Sequence, residues 1–360
     1  MTRTLLITSA VLAGAGCSGC GDDEGPLGGG GSTNATTGGA GGVGGSGGAG
    51  GQGGSGGDGV GGALTCPPNV GVALGLTSLD FGVGNNGQWK TVGFNVDGLV
   101  SDGNSTDVCK PNSDASPDIV YPDGDNGIDN SFGKNLVPLI LALKPGWPDT
   151  VNGYLTQGFF STILKMYCLP PTGDAVVLSK VFAGTTLGTI PKFDGTDMWP
   201  VAPEVLSDLQ DPESSTLIFP NSTVTGSTFD SGQQSTFVLL VPISFGDQIA
   251  SIKLTVYNAR IKMTLSDDRK SATGGVIGGV LKTEEVVDQL KAVAFLADYC
   301  SDALYPAMLK AVRQASDIMS DGTQDPNSTC DGISFGVKFE MKEVQIGDVG
   351  PASPQNMTCP

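Results

Sequence analysis

The body of this chain, residues 66–360, is predicted to be α+β: mainly an antiparallel β sheet or sandwich with a packed helical pair. Three observations predict this class. Apolar residues alternate with period two in several runs, two later stretches carry the helical period, and the 295 residues of the body suffice for a sizeable core. Residues 17–65 are so rich in glycine that they are predicted to form a disordered tether. A sub-boundary near residues 195–215, rich in Pro and Asp, is left open.

The first 16 residues are predicted to be a signal peptide. Arg3 supplies the positively charged start, and a short apolar stretch follows it. The apolar residues of this stretch are Leu5, Leu6, Ile7, Ala10, Val11 and Leu12. The stretch is too short to span a bilayer as a permanent helix, which is typical of a cleaved export signal.

The predicted signal peptide runs into the motif Ala13-Gly14-Ala15-Gly16-Cys17. This motif resembles the lipobox of bacterial lipoproteins, in which small residues precede a cysteine that is lipidated and becomes the N-terminus. Gly14 departs from the lipobox, since a Leu is usual there. A glycine-rich tether and a folded body then follow, as in surface lipoproteins of Gram-negative soil bacteria such as myxobacteria. The resemblance implies lipidation of Cys17, the membrane as partner, and a place at the outer membrane or cell surface. Cleavage after Ala15 without lipid is the alternative.

The composition of the body excludes several classes of function. Without Arg3 and the four acidic residues before residue 66, the body has 18 basic and 33 acidic residues, a formal charge of −15. Nucleic acid is therefore not expected as a partner. The chain has no histidine, which excludes Ser-His-Asp and Cys-His catalysis and His-ligated zinc.

The cysteines of the body predict disulfides. They are far apart and form no C-x-x-C pair, which indicates structural disulfides made in an oxidising compartment. These six residues are Cys66, Cys109, Cys168, Cys300, Cys330 and Cys359. The predicted pairs are Cys66 with Cys359, Cys109 with Cys168, and Cys300 with Cys330.

Alternating apolar residues predict the strands in chain order. The runs 92–96, 159–169, 175–182, 237–245 and 333–341 are predicted strands. In the run 252–265 the apolar parity changes once, so a bulge is expected near Tyr257 and Asn258. The glycine-rich stretch 274–279 lacks the Lys-Ser/Thr of a phosphate loop and is predicted to be a bent or bulged strand.

Two helices are predicted after this glycine-rich strand. Thr283 is the predicted N-cap of the first, with Glu284 and Glu285 in its first turn, where the helix dipole favours acidic residues. The second helix is predicted to begin at Pro306 and to carry an apolar stripe as far as Met319. Both apolar stripes are expected to face the core.

An acidic stretch, residues 118–135, is the strongest candidate for a binding site. Asp123, Asp125 and Asp129 offer the hard oxygen ligands that Ca²⁺ takes, with glycines that permit tight turns. The stretch resembles the Asp-rich calcium repeats of thrombospondin type 3 and EF-hand-like loops, and this resemblance implies calcium as a cofactor. It departs from the EF-hand at Gly133, where a bidentate Glu is expected. The alternative is an acidic turn whose Asp side chains cap backbone N–H groups.

Two further hypotheses concern glycans. Trp89, Trp147 and Trp199 could stack on sugars, although tryptophans beside such turns are more often core residues. A group of carboxylates could supply the pair of a glycosidase, but their spacing selects no two of them. They are Asp194, Asp197, Glu204, Asp208 and Asp211.

The sequence thus predicts an exported, lipid-anchored cell-envelope protein with no catalytic residues, acting as a binding or structural module for an unidentified extracellular or envelope ligand. The alternative is a secreted, His-independent, carboxylate-based hydrolase that acts on glycans. The two differ in one observable feature, because a hydrolase needs a concave pocket with two convergent carboxylates roughly 5–10 Å apart.

Overall fold

The computed structural model describes residues 71–352, apart from 85, 86, 233, 234, 246 and 247, together with residues 357–359. The side chains of residues 244, 245 and 248–250 are not described either. Every described residue belongs to a unit that spans Val60–Pro360. The predicted signal peptide, Cys17, the tether of residues 17–65 and Cys66 lie outside the described residues.

The described part of the chain contains ten strands, which confirms the mainly antiparallel sheet. In chain order they are β1 (Gly71–Asp80), β2 (Ser161–Tyr167), β3 (Ala175–Gly184), β4 (Met198–Val201), β5 (Leu217–Thr225), β6 (Thr228–Asp230), β7 (Ser235–Phe245), β8 (Gln248–Leu265), β9 (Ser271–Lys282) and β10 (Gly332–Val349). The predicted runs 175–182, 237–245, 252–265 and 333–341 lie in strands, whereas of the run 159–169 only residues 161–167 form a strand, β2. β9 is the bent, glycine-rich strand that was predicted.

Helices complete the α+β fold. They are α1 (Pro117–Val120), α2 (Val137–Leu143), α3 (Trp147–Thr156), α4 (Thr283–Leu296) and α5 (Tyr305–Gln314). A π-helical turn, Phe132–Leu136, runs directly into α2. α4 and α5 contact each other and form the predicted helical pair. Within the described ranges, no helix is both long enough and apolar enough to cross a membrane.

The strand pairings form a closed circuit. They lead from β1 through β2, β3, β5, β6, β8, β9 and β10 back to β1, and every one of these pairings is antiparallel. β4 runs parallel to the end of β10, beyond the residues that pair with β1. β7 pairs with the first part of β8, whose last part pairs with β6. Strands before and after residues 195–215 therefore belong to one sheet.

The apolar core lies between the sheet and the helices. Phe335 and Val337 of β10 are fully buried, and the ring of Phe335 lies 4.9 Å from that of Phe132, measured between centroids. Val287 of α4 and Val312 of α5 belong to the same core, so both helical stripes face it as predicted. The alternating pattern of β10 directs its large side chains to this face.

β8 contains the predicted bulge. Three steps along β8, from Tyr257 to Arg260, face only two steps along β9. Asn258 adopts a left-handed conformation with φ 49°, which Asn tolerates better than most residues. The opposing residue, Gly279, has no room for a side chain, because a Cβ there would lie 2.5 Å from the carbonyl oxygen of Tyr257.

The prediction of a strand over residues 92–96 is wrong. This stretch forms bends, and of its residues Phe94 alone makes a bridge, with Asp129. The backbone N–H of Val96 donates to the Asp129 carboxylate, 2.6 Å away, instead of to a neighbouring strand. A side-chain acceptor has thus replaced the strand partner that the alternation implied.

Two predicted helix boundaries are also wrong. The N-cap of α4 is Lys282, and Thr283 is already helical. The hydroxyl of Thr283 is 2.7 Å from that of Ser316, so it serves a side-chain contact instead of capping the helix. α5 ends at Gln314, and Met319 lies in the tight turn beyond it.

Two disulfides join described cysteines, and neither is a predicted pair. They close separations of 221 and 59 residues and are Cys109–Cys330 and Cys300–Cys359. Cys168 is also disulfide-bonded, with none of these four. An isolated bridge between Lys110 and Thr329, outside the named strands, brings Cys109 beside Cys330.

Candidate functional site

The acidic stretch brings together two of its three predicted calcium ligands. Asp129 is only 3% exposed and Asp123 is half-buried, and their carboxyl groups are hydrogen-bonded to each other. Asp125 is exposed on the turn between them. In the described part of the chain, no group of three acidic or cysteine side chains is arranged to hold a metal ion. Calcium binding therefore stays a prediction.

The two aspartates accept hydrogen bonds from a neighbouring loop. Oδ2 of Asp129 accepts from the backbone N–H groups of Val96 and Asp97, at 2.6 and 3.4 Å. Oδ2 of Asp123 accepts from the N–H of Ser101 at 2.6 Å. These bonds fold residues 94–101 against the acidic stretch. They are the capping of backbone N–H groups that the alternative interpretation predicts.

Two more aspartates complete what we call the aspartate cluster: Asp97, Asp123, Asp129 and Asp317. The Asp97 carboxylate accepts from Nε2 of Gln324 at 2.7 Å. Asp317 is buried, and its carboxylate accepts from the N–H and the hydroxyl of Ser334 on β10, at 2.8 and 2.5 Å. The cluster thus joins the loops that follow β1 and α5 to the long strand β10.

Burial and like charge raise the pKa values of three members of this cluster. Burial, reinforced by Asp97 and Asp317, raises the pKa of Asp129 to about 9. Burial also raises the pKa of Asp317 to about 7 and that of Asp123 to about 6. At neutral pH, Asp129 therefore holds its proton beside the ionised Asp123. Pairs of carboxyl groups with separated pKa values are also the pattern of acid–base catalysis.

Lys134 is the cation that faces this cluster. Its ammonium donates to the carbonyl oxygen of Pro122 at 2.8 Å and lies 5.1 Å from the ring centroid of Trp89. Burial lowers the pKa of Lys134 to about 8, and the charges of Asp317 and Asp123 oppose this fall. The ammonium of Lys134 is thus a single positive charge beside a cluster of four carboxyl groups.

A second polar group, the Glu213 cluster, consists of Lys165, Tyr167, Lys180 and Glu213. The carboxylate of Glu213 accepts from the ammonium of Lys165 and the hydroxyl of Tyr167. Its carbonyl oxygen accepts from Lys180 at 2.7 Å, so the loop before β5 is fixed on β2 and β3. Burial and the Glu213 carboxylate raise the pKa of Tyr167. Residue periodicity did not predict this cluster, although a Lys within the apolar strand β2 was a signal for it.

The tryptophans do not form a sugar-binding surface together. Trp147 and Trp199 are 2% and 0% exposed and belong to the core. The ring of Trp147 packs 4.5 Å from that of Phe81, measured between centroids. Trp89 is half-buried, and the ammonium groups of Lys90 and Lys134 lie over its ring.

The carboxylates considered for a glycosidase are spread over several turns. Asp197 is buried and accepts from the N–H groups of Lys192 and Phe193. Asp194, Asp208 and Asp211 each accept an N–H from a residue two positions further on, and Glu204 lies in the short helical turn Pro203–Val205. The four aspartates among them serve their own turns, as Asp side chains in turns commonly do.

Two cavities in the described part of the chain differ in chemistry. One, of about 80 Å³, is lined by apolar side chains of α2, α4, β7 and β8, such as Ile140, Leu290 and Ile252. The other, of about 340 Å³, lies at the bulge of β8, where Asn258 and Asp321 are part of its wall. Neither of these two cavities has a pair of carboxylates in its wall.

Comparison with the models of known protein families, with curated proteins and with solved structures finds no match for this chain.

Proposed function

We propose that this chain is an exported, lipid-anchored cell-envelope protein whose body acts as a non-enzymatic binding or structural module. The use of the interior carboxylates carries this proposal. Asp123, Asp129 and Asp317 direct their oxygens to hydrogen-bond donors of the fold itself. A carboxylate that already accepts such bonds is poorly placed to serve a substrate.

The cysteines support the export part of the proposal. Two disulfides close long separations within the body, and Cys168 is bonded as well. Disulfides persist in oxidising compartments and are rare in the cytosol. An exported body agrees with the signal-like start and with the lipobox-like motif that ends in Cys17.

The experiment for this proposal is intact-mass analysis of the protein purified from the membranes of its own host. We expect an N-terminal Cys17 that carries diacylglycerol, together with the loss of one hydrogen for each disulfide-bonded cysteine of the body. A Cys17→Ala variant is the control, and it should leave the membrane fraction. A mature chain that begins at Gly16 and carries no lipid would contradict the anchor.

A hydrolase is the second candidate, and one observation favours it. The pKa values of Asp123 and Asp129 are about 6 and 9, separated as in an acid–base pair, although their carboxyl groups are in hydrogen-bond contact instead of roughly 5–10 Å apart and neither residue lines the two cavities. The test is release of reducing ends from a panel of glycans between pH 4 and 9. The non-enzymatic module predicts no release above that of a protein-free blank. Release that disappears in an Asp123→Asn variant would overturn the module and establish the hydrolase.

A further inference from the structure

The polar cavity of about 340 Å³ lies at the bulge in β8. The strand pairing shifts there on both sides, against β7 and against β9. Tyr257 and Asn258 at the bulge and Thr236 on β7 therefore share the wall of one cavity, which Lys282 and the turn at Asp321 complete. Bulges commonly redirect side chains in this way beside functional sites.

Hydrogen bonds within the wall hold two of its side chains in place. The hydroxyl of Tyr257 donates to Oε1 of Glu285 on α4 at 2.8 Å. The amide nitrogen of Asn258 donates to the backbone carbonyl of Asp321. These bonds link β8, α4 and the turn after α5, so the wall is ordered before any ligand arrives, and ordered groups cost less entropy on binding.

Three groups in the wall have no hydrogen-bond partner in the part of the chain that the structure describes. They are the hydroxyl of Thr236, the side-chain carbonyl of Asn258 and the ammonium of Lys282. The ammonium lies 4.0 Å from the ring centroid of Tyr257. Together they offer donors from Lys282, an acceptor from Asn258 and a hydroxyl that does both.

The charges around the cavity favour a neutral ligand. Asp321 in the wall and Glu285 behind Tyr257 are acidic, and the whole body has a formal charge of −15, so an anion is disfavoured. A cation would meet the ammonium of Lys282. A neutral ligand rich in hydroxyl groups can use donors and acceptors in the same small space, and the cavity falls in the size range of roughly 300–1,000 Å³ typical of ligand sites.

We propose that this cavity binds a neutral sugar residue, free or at the end of a glycan chain. Hydroxyl groups of the sugar accept from Lys282 and donate to Asn258, and one exchanges a hydrogen bond with Thr236. The ring of Tyr257 holds the Lys282 ammonium beside them. This inference rests on the proposed function as a binding module and names the chemical class of its ligand.

Saturation-transfer NMR on the full-length chain tests the inference. The probes are glucose, galactose, mannose and N-acetylglucosamine, each as the monosaccharide and as a linear trisaccharide, which separates free sugars from chain ends. We expect transfer to at least one probe. Thr236→Val and Lys282→Met should each weaken its binding by about tenfold or more, because each removes a hydrogen-bonding group.

Matched controls lie on β8, the strand between β7 and β9. Thr255→Val and Lys253→Met alter β8 outside the cavity wall and should leave the affinity unchanged, and thermal melts show whether each variant is folded. Transfer to none of the probes, or transfer that the Thr236 and Lys282 variants do not weaken, would overturn the sugar site and leave the proposed module standing. Shortening of a trisaccharide in the same spectra would instead overturn the non-enzymatic function.

Discussion

The aspartate cluster and the Glu213 cluster bury polar groups in opposite ways. The first gathers four carboxyl groups beside the ammonium of Lys134, and burial raises the pKa values of Asp123, Asp129 and Asp317, so that Asp129 keeps its proton at neutral pH. The second pairs the Glu213 carboxylate with the ammonium of Lys165, so these two opposite charges compensate each other within the protein. The fold thus tolerates buried acids through protonation in one place and through pairing in the other.

This difference has a physical reason. A buried charge without compensation is too costly, so either the group becomes neutral or a partner of opposite sign is supplied. A proton comes from the solvent, and its presence depends on pH. A lysine partner is fixed by the sequence, so this compensation is lost only when a mutation removes one member of the pair. The two clusters should therefore respond to different perturbations.

Among single substitutions, the largest effect on stability is expected from Glu213→Gln. The side chain of Lys165 is only 7% exposed, so loss of the carboxylate leaves a buried ammonium without its partner. Breaking a buried ion pair in this way costs about 3 kcal/mol or more of unfolding free energy. Urea unfolding at pH 7 measures the loss. Lys310→Met, which breaks an exposed pair with Asp114, is the control and should have little effect. Equal losses of unfolding free energy in both variants would mean that the buried pair of Lys165 and Glu213 stabilises the fold no more than the exposed pair does.

The pH dependence of stability should come from the aspartate cluster. The pKa of Asp129 is about 9 in the folded chain, well above its ordinary value of 3.8, so unfolding releases a proton between these pH values. Stability is then fully present below about pH 4 and falls as the pH rises towards 9, by up to about 1.4 kcal/mol per pH unit for one proton. Calorimetry should give a higher melting temperature at pH 5 than at pH 8. A melting temperature that rises over this range would contradict the raised pKa.

Asp129→Asn isolates the contribution of this residue. An amide keeps an oxygen that accepts from the N–H of Val96 and cannot ionise, so at pH 5 we expect a change within about 1 kcal/mol. The fall in stability from pH 5 to pH 8 should become shallower than in the unchanged chain. Urea unfolding at both pH values measures this, and an unchanged slope would assign the effect to Asp317 or Asp123 instead.

Removal of calcium is expected to have the smallest effect on stability. The sequence prediction names Asp123, Asp125 and Asp129, of which Asp125 is exposed and away from the pair. If these carboxylates bind Ca²⁺ weakly, EDTA at pH 8 should lower the melting temperature by only about 1–2 °C, as for a loss of about 0.5 kcal/mol. Addition of MgCl₂ after EDTA is the control and should not restore it. An unchanged melting temperature in EDTA would contradict calcium binding by these carboxylates.

Local patterns predicted those features that depend on a few neighbouring residues. The change of apolar parity in β8 predicted the bulge at Asn258, because a one-residue shift must exchange the two faces of a strand. The glycines of β9 predicted a bent strand for a similar local reason. At residues 92–96 the same kind of alternation wrongly predicted a strand, because the N–H of Val96 donates to the Asp129 carboxylate.

The clusters and cavities depended on contacts between distant residues. Asp317 is 188 positions from Asp129, and Glu213 is 48 from Lys165, so no window along the chain contains either pair. The proposed sugar site likewise consists of Thr236, Lys282 and the turn at Asp321, which only the folded sheet places around one cavity. The prediction of the disulfide pairs was wrong for the same reason, because the pairing depends on contacts between distant residues.

The sequence by itself determined the fold class, the positions of most strands, the helical pair and the absence of histidine chemistry. These follow from side-chain periodicity and composition, which act over a few residues or over the whole chain. Only the tertiary structure decided which acids share a proton, which acid has a lysine, and which polar groups surround a cavity. Those outcomes depend on distance and burial, and both arise only when remote segments pack together.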